Sequence, residues 1–279
     1  MRQMKRFGRL FLLMIGLVFA LAACTPSTGA GESAVDAEAP EKTSLDDLEE
    51  WDLLWISDSS GWGVADVYAS MVAEDTGKII NVQDKWIGGL PAAKVYQSLT
   101  GAYDGPSLTF EKMPELVSEA EIIVFYANPS ESINDSRPGD WECISGHSSY
   151  VNDCDPEIFT TYLDHLETIY QRIFELRAGQ PTIILAYDAY NPRINLFREK
   201  GVYEECKQCW GYYNDAIHLA AAKYNIPVAH VSEAWNGPDW DIDPNDLGYT
   251  KDGEHPNKLG IEVIAQALRE LGYDPVPAP

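Results

Sequence analysis

The sequence predicts an α/β fold, a three-layer α/β/α sandwich around a central, mostly parallel five-stranded sheet. Two observations carry this. Five short apolar runs rich in β-branched residues have strand length, and helical patterns lie between them. Strands that alternate with helices need crossover connections, which set neighbouring strands parallel and cover both faces of the sheet. The strand runs are 53–57, 79–82, 122–126, 182–187 and 228–231, and the helical patterns are 64–73, 92–100, 108–118, 158–177, 206–224 and 258–271. In the fourth helix Ile158, Phe159, Tyr162, Leu163, Leu166, Ile169, Tyr170, Ile173 and Phe174 share one face. In the fifth, Cys206, Cys209, Trp210, Tyr213, Ile217, Ala220 and Tyr224 recur at helical spacing, which reads as a packing face.

Ahead of this alternation the 279-residue chain opens with Arg2, Lys5 and Arg6, runs apolar from Leu10 to Ala23 with Gly16 as its break, and meets Cys24. A basic segment followed by a short apolar one is the anatomy of an export leader, and the run is shorter than the roughly 20 residues of a spanning helix. Leu21-Ala22-Ala23-Cys24 resembles the bacterial lipobox, whose cysteine is acylated and becomes the first residue of a membrane-anchored lipoprotein. Residues 1–23 are therefore expected as a signal peptide and 24–46, rich in Ala, Glu, Pro, Ser and Gly, as lipidated Cys24 and a disordered tether. Residues 47–279 are expected as one globular domain, long enough for a sizeable core. The expected location is the cell envelope, outside the cytoplasm.

Loss of Arg2, Lys5, Arg6 and Arg9 with the leader leaves 16 basic residues against 44 acidic, a formal charge of −28. Such a surface repels phosphate backbones, so nucleic acid is excluded as a partner. Cys143, Cys154, Cys206 and Cys209 remain after Cys24, and an even number in an exported chain favours disulfides. Local pairing, Cys143 with Cys154 and Cys206 with Cys209, closes the shortest loops. A four-thiolate zinc site is the alternative.

Ligands of a parallel sheet bind beyond the carboxyl ends of its strands. Three segments follow strands directly: Ser57-Asp58-Ser59-Ser60-Gly61-Trp62-Gly63, Ile87-Gly88-Gly89 and Asn128-Pro129. The polar, aperiodic stretch 129–156 is long enough to suggest a functional loop. Near the carboxyl end, Asp252-Gly253-Glu254-His255-Pro256 precedes the last helix. Aspartate and histidine three residues apart can meet as an orienting carboxylate and a general base.

Taken together these segments resemble the SGNH, or GDSL-type, serine hydrolase family over residues 52–272. Ser57-Asp58-Ser59 resembles its Gly-Asp-Ser block, Gly89 and Asn128 stand like its glycine and asparagine, and Asp252 to His255 with Pro256 fits its Asp-x-x-His-Pro block. The resemblance implies a flavodoxin-like sheet and a serine esterase. Ser59 would be the nucleophile, His255 the base and Asp252 its orienter, with the oxyanion held by the Ser59 and Gly89 N–H groups and the Asn128 amide. Ser57, Tyr126 and Pro129 stand where the family usually has glycine, glycine and aspartate, which predicts an altered oxyanion loop.

Trp62, Gly88 and His147 are further candidates for lining the site. The other histidines, His165, His218 and His230, show no ligand spacing, and neither a metal nor a cofactor is expected. The expected substrate is a small-molecule or glycan ester with a short, acetyl-type acyl group. The alternative is a catalytically degenerate member that binds a glycan or lipid without hydrolysis.

Overall fold

The structure, a computed structural model, describes residues 44–102, 112–131, 142–145 and 154–279. The expected leader, Cys24, most of the tether, residues 108–111 of the third helical pattern and His147 lie outside the described residues. The folded unit reaches back into the segment expected as tether. Ser44 caps a 3-10 turn at Leu45–Asp47, Leu45 is buried, and its carbonyl accepts from Trp51 Nε1 at 3.1 Å.

Five strands form one all-parallel sheet: β1 (Glu50–Ile56), β2 (Ile79–Asp84), β3 (Ile122–Phe125), β4 (Ile183–Tyr187) and β5 (Val228–Ala229), in the order β2-β1-β3-β4-β5. Leu53 stands opposite Ile122 and Ile122 opposite Ile183, so the three central strands run level. The residues of β3 and β4, and of β1 from Leu53 on, are buried on both faces, which is why they read as unbroken apolar runs rather than alternating ones. The edge strand β2 alternates between half-buried and exposed residues, and the other edge, β5, pairs over only two residues.

Around the sheet lie α1 (Val64–Thr76), α2 (Ala92–Thr100), α3 (Met113–Glu119), α4 (Glu142–Ser145), α5 (Thr160–Arg177), α6 (Ile194–Lys200), α7 (Tyr203–Lys223), α8 (Val231–Asn236) and α9 (Lys258–Arg269). Helices α1 and α9 pack together, as do α8 and α9. On the other side α5 packs on α2, α3 and α7, giving the expected three layers. Helices α6 and α8 are absent from the sequence reading. At seven and six residues, neither is long enough to display a helical period. The strand expected at 228–231 ends at Ala229, because Val231 already opens α8. Among the described residues no helix is long and apolar enough to cross a membrane.

The pairing of the cysteines differs from the expected local one. The bridges are Cys143–Cys206 and Cys154–Cys209, with Cα–Cα distances of 5.1 and 5.3 Å. Helix α7 is the physical reason. Residues three apart on a continuous helix hold their Cβ atoms about 5–6 Å apart, whereas a disulfide needs about 3.8 Å. Cys206 and Cys209 therefore cannot bridge each other there, and each reaches across to the 143–154 segment. With all four sulfurs oxidised, the zinc-thiolate alternative is also removed.

The sheet order reverses between β1 and β3. Chain leaving β1 goes first to β2 on one side and then crosses back to β3 on the other. The crevice outside the carboxyl ends of these two strands is where such a sheet opens to a ligand.

Candidate active site

Ser59 follows β1 in a 3-10 turn at Ser59–Gly61, capped by Asp58, whose carboxylate accepts from the Ser60 N–H at 2.8 Å. Ser57 fills the place where a glycine was expected from the motif. It is fully buried, accepts from Trp55 Nε1 at 2.8 Å and donates to the Asp58 carbonyl at 3.0 Å. Gly61 makes this possible. A Cβ there would lie 2.3 Å from Ser57 Oγ and 2.8 Å from Trp55 Nε1, so the serine is accommodated by the missing side chain four residues later.

Asp252 and His255 come from the turn before α9. Helix α9 is capped by Asn257, whose Oδ1 accepts from the Leu259 and Gly260 N–H groups, which leaves Asp252 free of that duty. Its Oδ1 accepts instead from the Glu254 and His255 N–H groups at 3.1 and 2.8 Å, and its Oδ2 faces His255 Nδ1 at 2.9 Å. The His255 backbone N–H is the strongest influence on this carboxyl. With the imidazole and the Glu254 N–H it holds the pKa down at about 2, against the partial burial that would raise it. His255 Nε2 lies 3.0 Å from Ser59 Oγ. Three residues separated by up to 196 positions thus form one continuous hydrogen-bond chain. Tyr190 OH donating to the Glu254 carbonyl at 2.9 Å, and Arg193 paired with Glu254 at 2.9 Å, anchor the turn from its other side.

Asn128 reaches the same place from β3. Its N–H donates to the Leu90 carbonyl at 3.0 Å and its carbonyl accepts from the Ala92 N–H at 2.9 Å, a short parallel bridge around Pro91. Pro129 biases its predecessor toward extended backbone, which is the conformation such a bridge requires. Asn128 Nδ2 donates to Asp58 Oδ2 at 3.2 Å, and its Oδ1 accepts from the Ser130 N–H at 3.0 Å, so the amide is fixed with one N–H still to give. Burial pushes the Asp58 carboxyl above its ordinary value, against hydrogen bonds from Ser60 and Asn128. Tyr126 does not crowd this loop. Its ring is buried and stacked on Tyr187 at 4.7 Å, and its hydroxyl shares a 2.6 Å hydrogen bond with Tyr213.

A cleft of about 280 Å³ joins these groups, bordered by Ser59, His255, Gly89 and Asn128. Gly89 has φ +63°, a left-handed conformation that glycine takes without strain. Gly88 does not border the cleft. Nor does Trp62, which is 46% exposed, lies tilted against Trp86 at 5.5 Å and carries the Lys251 ammonium over its ring. The walls are instead Tyr126, Ile144, Tyr190, Trp210 and Tyr213, with Asp188 also on the border. Trp210 and Tyr213 belong to the stripe read from the sequence as a packing face. That stripe does pack, yet part of it also faces the cleft, and the Trp210 indole N–H donates to the Cys143 carbonyl at 3.0 Å. Tyr190 was findable, since it stands three residues past the end of β4 at the carboxyl edge of the sheet.

Fold and site together define an α/β/α protein with a serine–histidine–aspartate chain at the switch point of a parallel sheet. No family model and no curated protein sequence matches the chain. Solved structures do. The lipase Lip_vut3 from a goat rumen metagenome is similar at 17% identity, over 80% of this chain and 98% of its own, with a TM-score of 0.56. A GDSL-like lipase candidate from Parabacteroides merdae aligns at 12% identity over 79% of this chain and 94% of its own, with a TM-score of 0.54. The acetyl xylan esterase AlAXEase aligns at 13% identity over 79% and 99%, with a TM-score of 0.50. The chain therefore has the fold of the SGNH, or GDSL-type, hydrolases.

Proposed function

We propose that this protein is a serine ester hydrolase of the SGNH type, anchored outside the cytoplasm through lipidated Cys24, which removes a short acyl group from a carbohydrate or small-molecule ester. The observation that carries the reading is the chain from Asp252 through His255 to Ser59, at 2.9 and 3.0 Å, opening into a cleft that Asn128 and Gly89 also border. Ser59 Oγ attacks the ester carbonyl while His255 Nε2 takes its proton. Asp252 keeps the proton of the neutral imidazole on Nδ1, leaving Nε2 free to accept. The backbone N–H groups of Ser59 and Gly89 and the amide of Asn128 stabilise the oxyanion. His255 then gives its proton to the departing alcohol, and water, activated by the same imidazole, releases the acid from the acyl-serine.

The short acyl group is supported by the small, aromatic-walled cleft, which falls just under the roughly 300–1,000 Å³ typical of sites for drug-sized ligands. The anchor is supported by the basic and apolar leader and the Leu21-Ala22-Ala23-Cys24 motif. Hydrolysis of p-nitrophenyl esters of increasing chain length tests the reading. The acetyl ester should be fastest, and Ser59→Ala should lower kcat/KM by about 10⁴-fold or more with the fold intact. Equal, slow rates for wild type and Ser59→Ala at every chain length would leave a protein that binds such esters without turning them over.

A further inference from the structure

Three side chains with no part in the proposed hydrolysis meet at the same edge of the sheet. Asp188 follows β4, His218 projects from α7, and His230 stands between β5 and α8. Asp188 Oδ2 is 3.1 Å from His218 Nε2 and 3.7 Å from His230 Nδ1, and the donor atoms all lie within 4.8 Å of one another. Neighbouring donors around a tetrahedral ion with bonds of about 2.0–2.1 Å stand about 3.3 Å apart, so these spacings bracket that geometry.

The carboxylate is the fixed member of the group. It is buried, its Oδ1 accepts from the Ser232 N–H at 2.7 Å, and its Oδ2 accepts from Ser232 Oγ at 2.9 Å. The imidazoles are the accessible members, with side chains 34% and 60% exposed and rings stacked at 5.0 Å. Small rotations of exposed rings can bring both nitrogens onto one ion beside a carboxylate already held in place.

We propose that Asp188, His218 and His230 bind a divalent transition cation of the zinc class, with water in a fourth position. Two imidazole nitrogens and one carboxylate oxygen form a donor set suited to zinc and its neighbours, whereas calcium and magnesium favour all-oxygen sites. Ser232 supplies the outer hydrogen bonds that orient a metal-bound carboxylate. The strongly acidic chain raises the local concentration of cations. Bound there, the ion would cross-link the ends of β4 and β5 to α7, beside the cleft that Asp188 also borders.

Zinc binding is read without substrate and is therefore independent of ester hydrolysis. The full chain, stripped with EDTA, is titrated with zinc chloride by calorimetry, and with Co²⁺ by visible absorption to report four-coordination. One equivalent should bind. His218→Ala and His230→Ala should each weaken binding more than about 100-fold, Ser232→Ala should weaken it about 10–100-fold, and His255→Ala should leave it nearly unchanged. Both histidines are partly exposed, so circular dichroism should show these variants folded. No binding by the wild type, or binding undiminished in both His218→Ala and His230→Ala, would overturn the proposal and leave two histidines paired to a buried aspartate. Loss of binding in His255→Ala alone would do the same, by moving the ion to the hydrolytic site.

Discussion

The two ends of the sheet treat their polar groups in opposite ways. At the amino end, Arg177 is almost fully buried, donates to Thr182 Oγ1 and the Ser118 carbonyl, and stands 3.9 Å from Glu121, which in turn accepts from the Asp52 N–H at 2.8 Å. Every member partners another, and the pocket that Arg177 and Thr182 border is lined by no histidine or acidic side chain. At the carboxyl end, Ser59, His255 and Asn128 are also tied into hydrogen bonds, but all three border the cleft that holds the histidine. Polar groups that close on themselves hold a fold together, and those that line a cleft beside a base are placed for chemistry.

Exchanging losses between the two ends is the way to break this contrast. After Ser59→Ala, the largest expected effect is Asn128→Ala, which removes the proposed oxyanion donor and should lower kcat/KM about 10²–10³-fold with little loss of stability. Comparable unfolding in urea by wild type and variant would confirm the separation. Unfolding at much lower urea would place Asn128 with the structural groups. Next is Arg177→Ala, expected to cost about 1–3 kcal/mol of stability, because it removes a buried guanidinium's bonds to Thr182 and the Ser118 carbonyl and its ion pair with the partly buried Glu121. Its kcat/KM per folded molecule should match wild type, and a large change there would join the two ends. The smallest effect is on acid stability. Asp252 has a folded pKa of about 2 against an ordinary value of 3.8, so its contribution is complete above the ordinary value and is lost as pH falls toward 2. Asp252→Asn should flatten that part of the stability curve only slightly, since the carboxylate is 47% exposed and screened by solvent. An unchanged acid limb would show that the hydrogen bonds hold the imidazole without holding the fold.

Much of this was legible in the residues. Strands β3 and β4, and β1 from Leu53 on, announce themselves because burial on both faces leaves no polar position to interrupt them. Ser59 and Asn128 are legible because they directly follow strands, and Asp252 and His255 because they precede a long amphipathic helix. The cleft wall was not, since Trp210 and Tyr213 obey the same helical period whether they face core or cavity. Asp188, His218 and His230 have no telling spacing, because the ends of β4 and β5 and the middle of α7 bring them together only in three dimensions. Trp62 misled by its nearness to Ser59 in sequence. The tight turn at Gly61 carries its ring to the surface beside Trp86 instead.

The two disulfides clamp positions 143 and 154 to successive turns of one rigid helix, with Ile144 and Trp210 already on the cleft wall. One reduction step therefore reaches both the helix and the cleft: opening the bridges unties Cys143, and with it its neighbour Ile144, from the helix that carries Trp210, while the hydrogen bonds that join Ser59, His255 and Asp252 involve no sulfur.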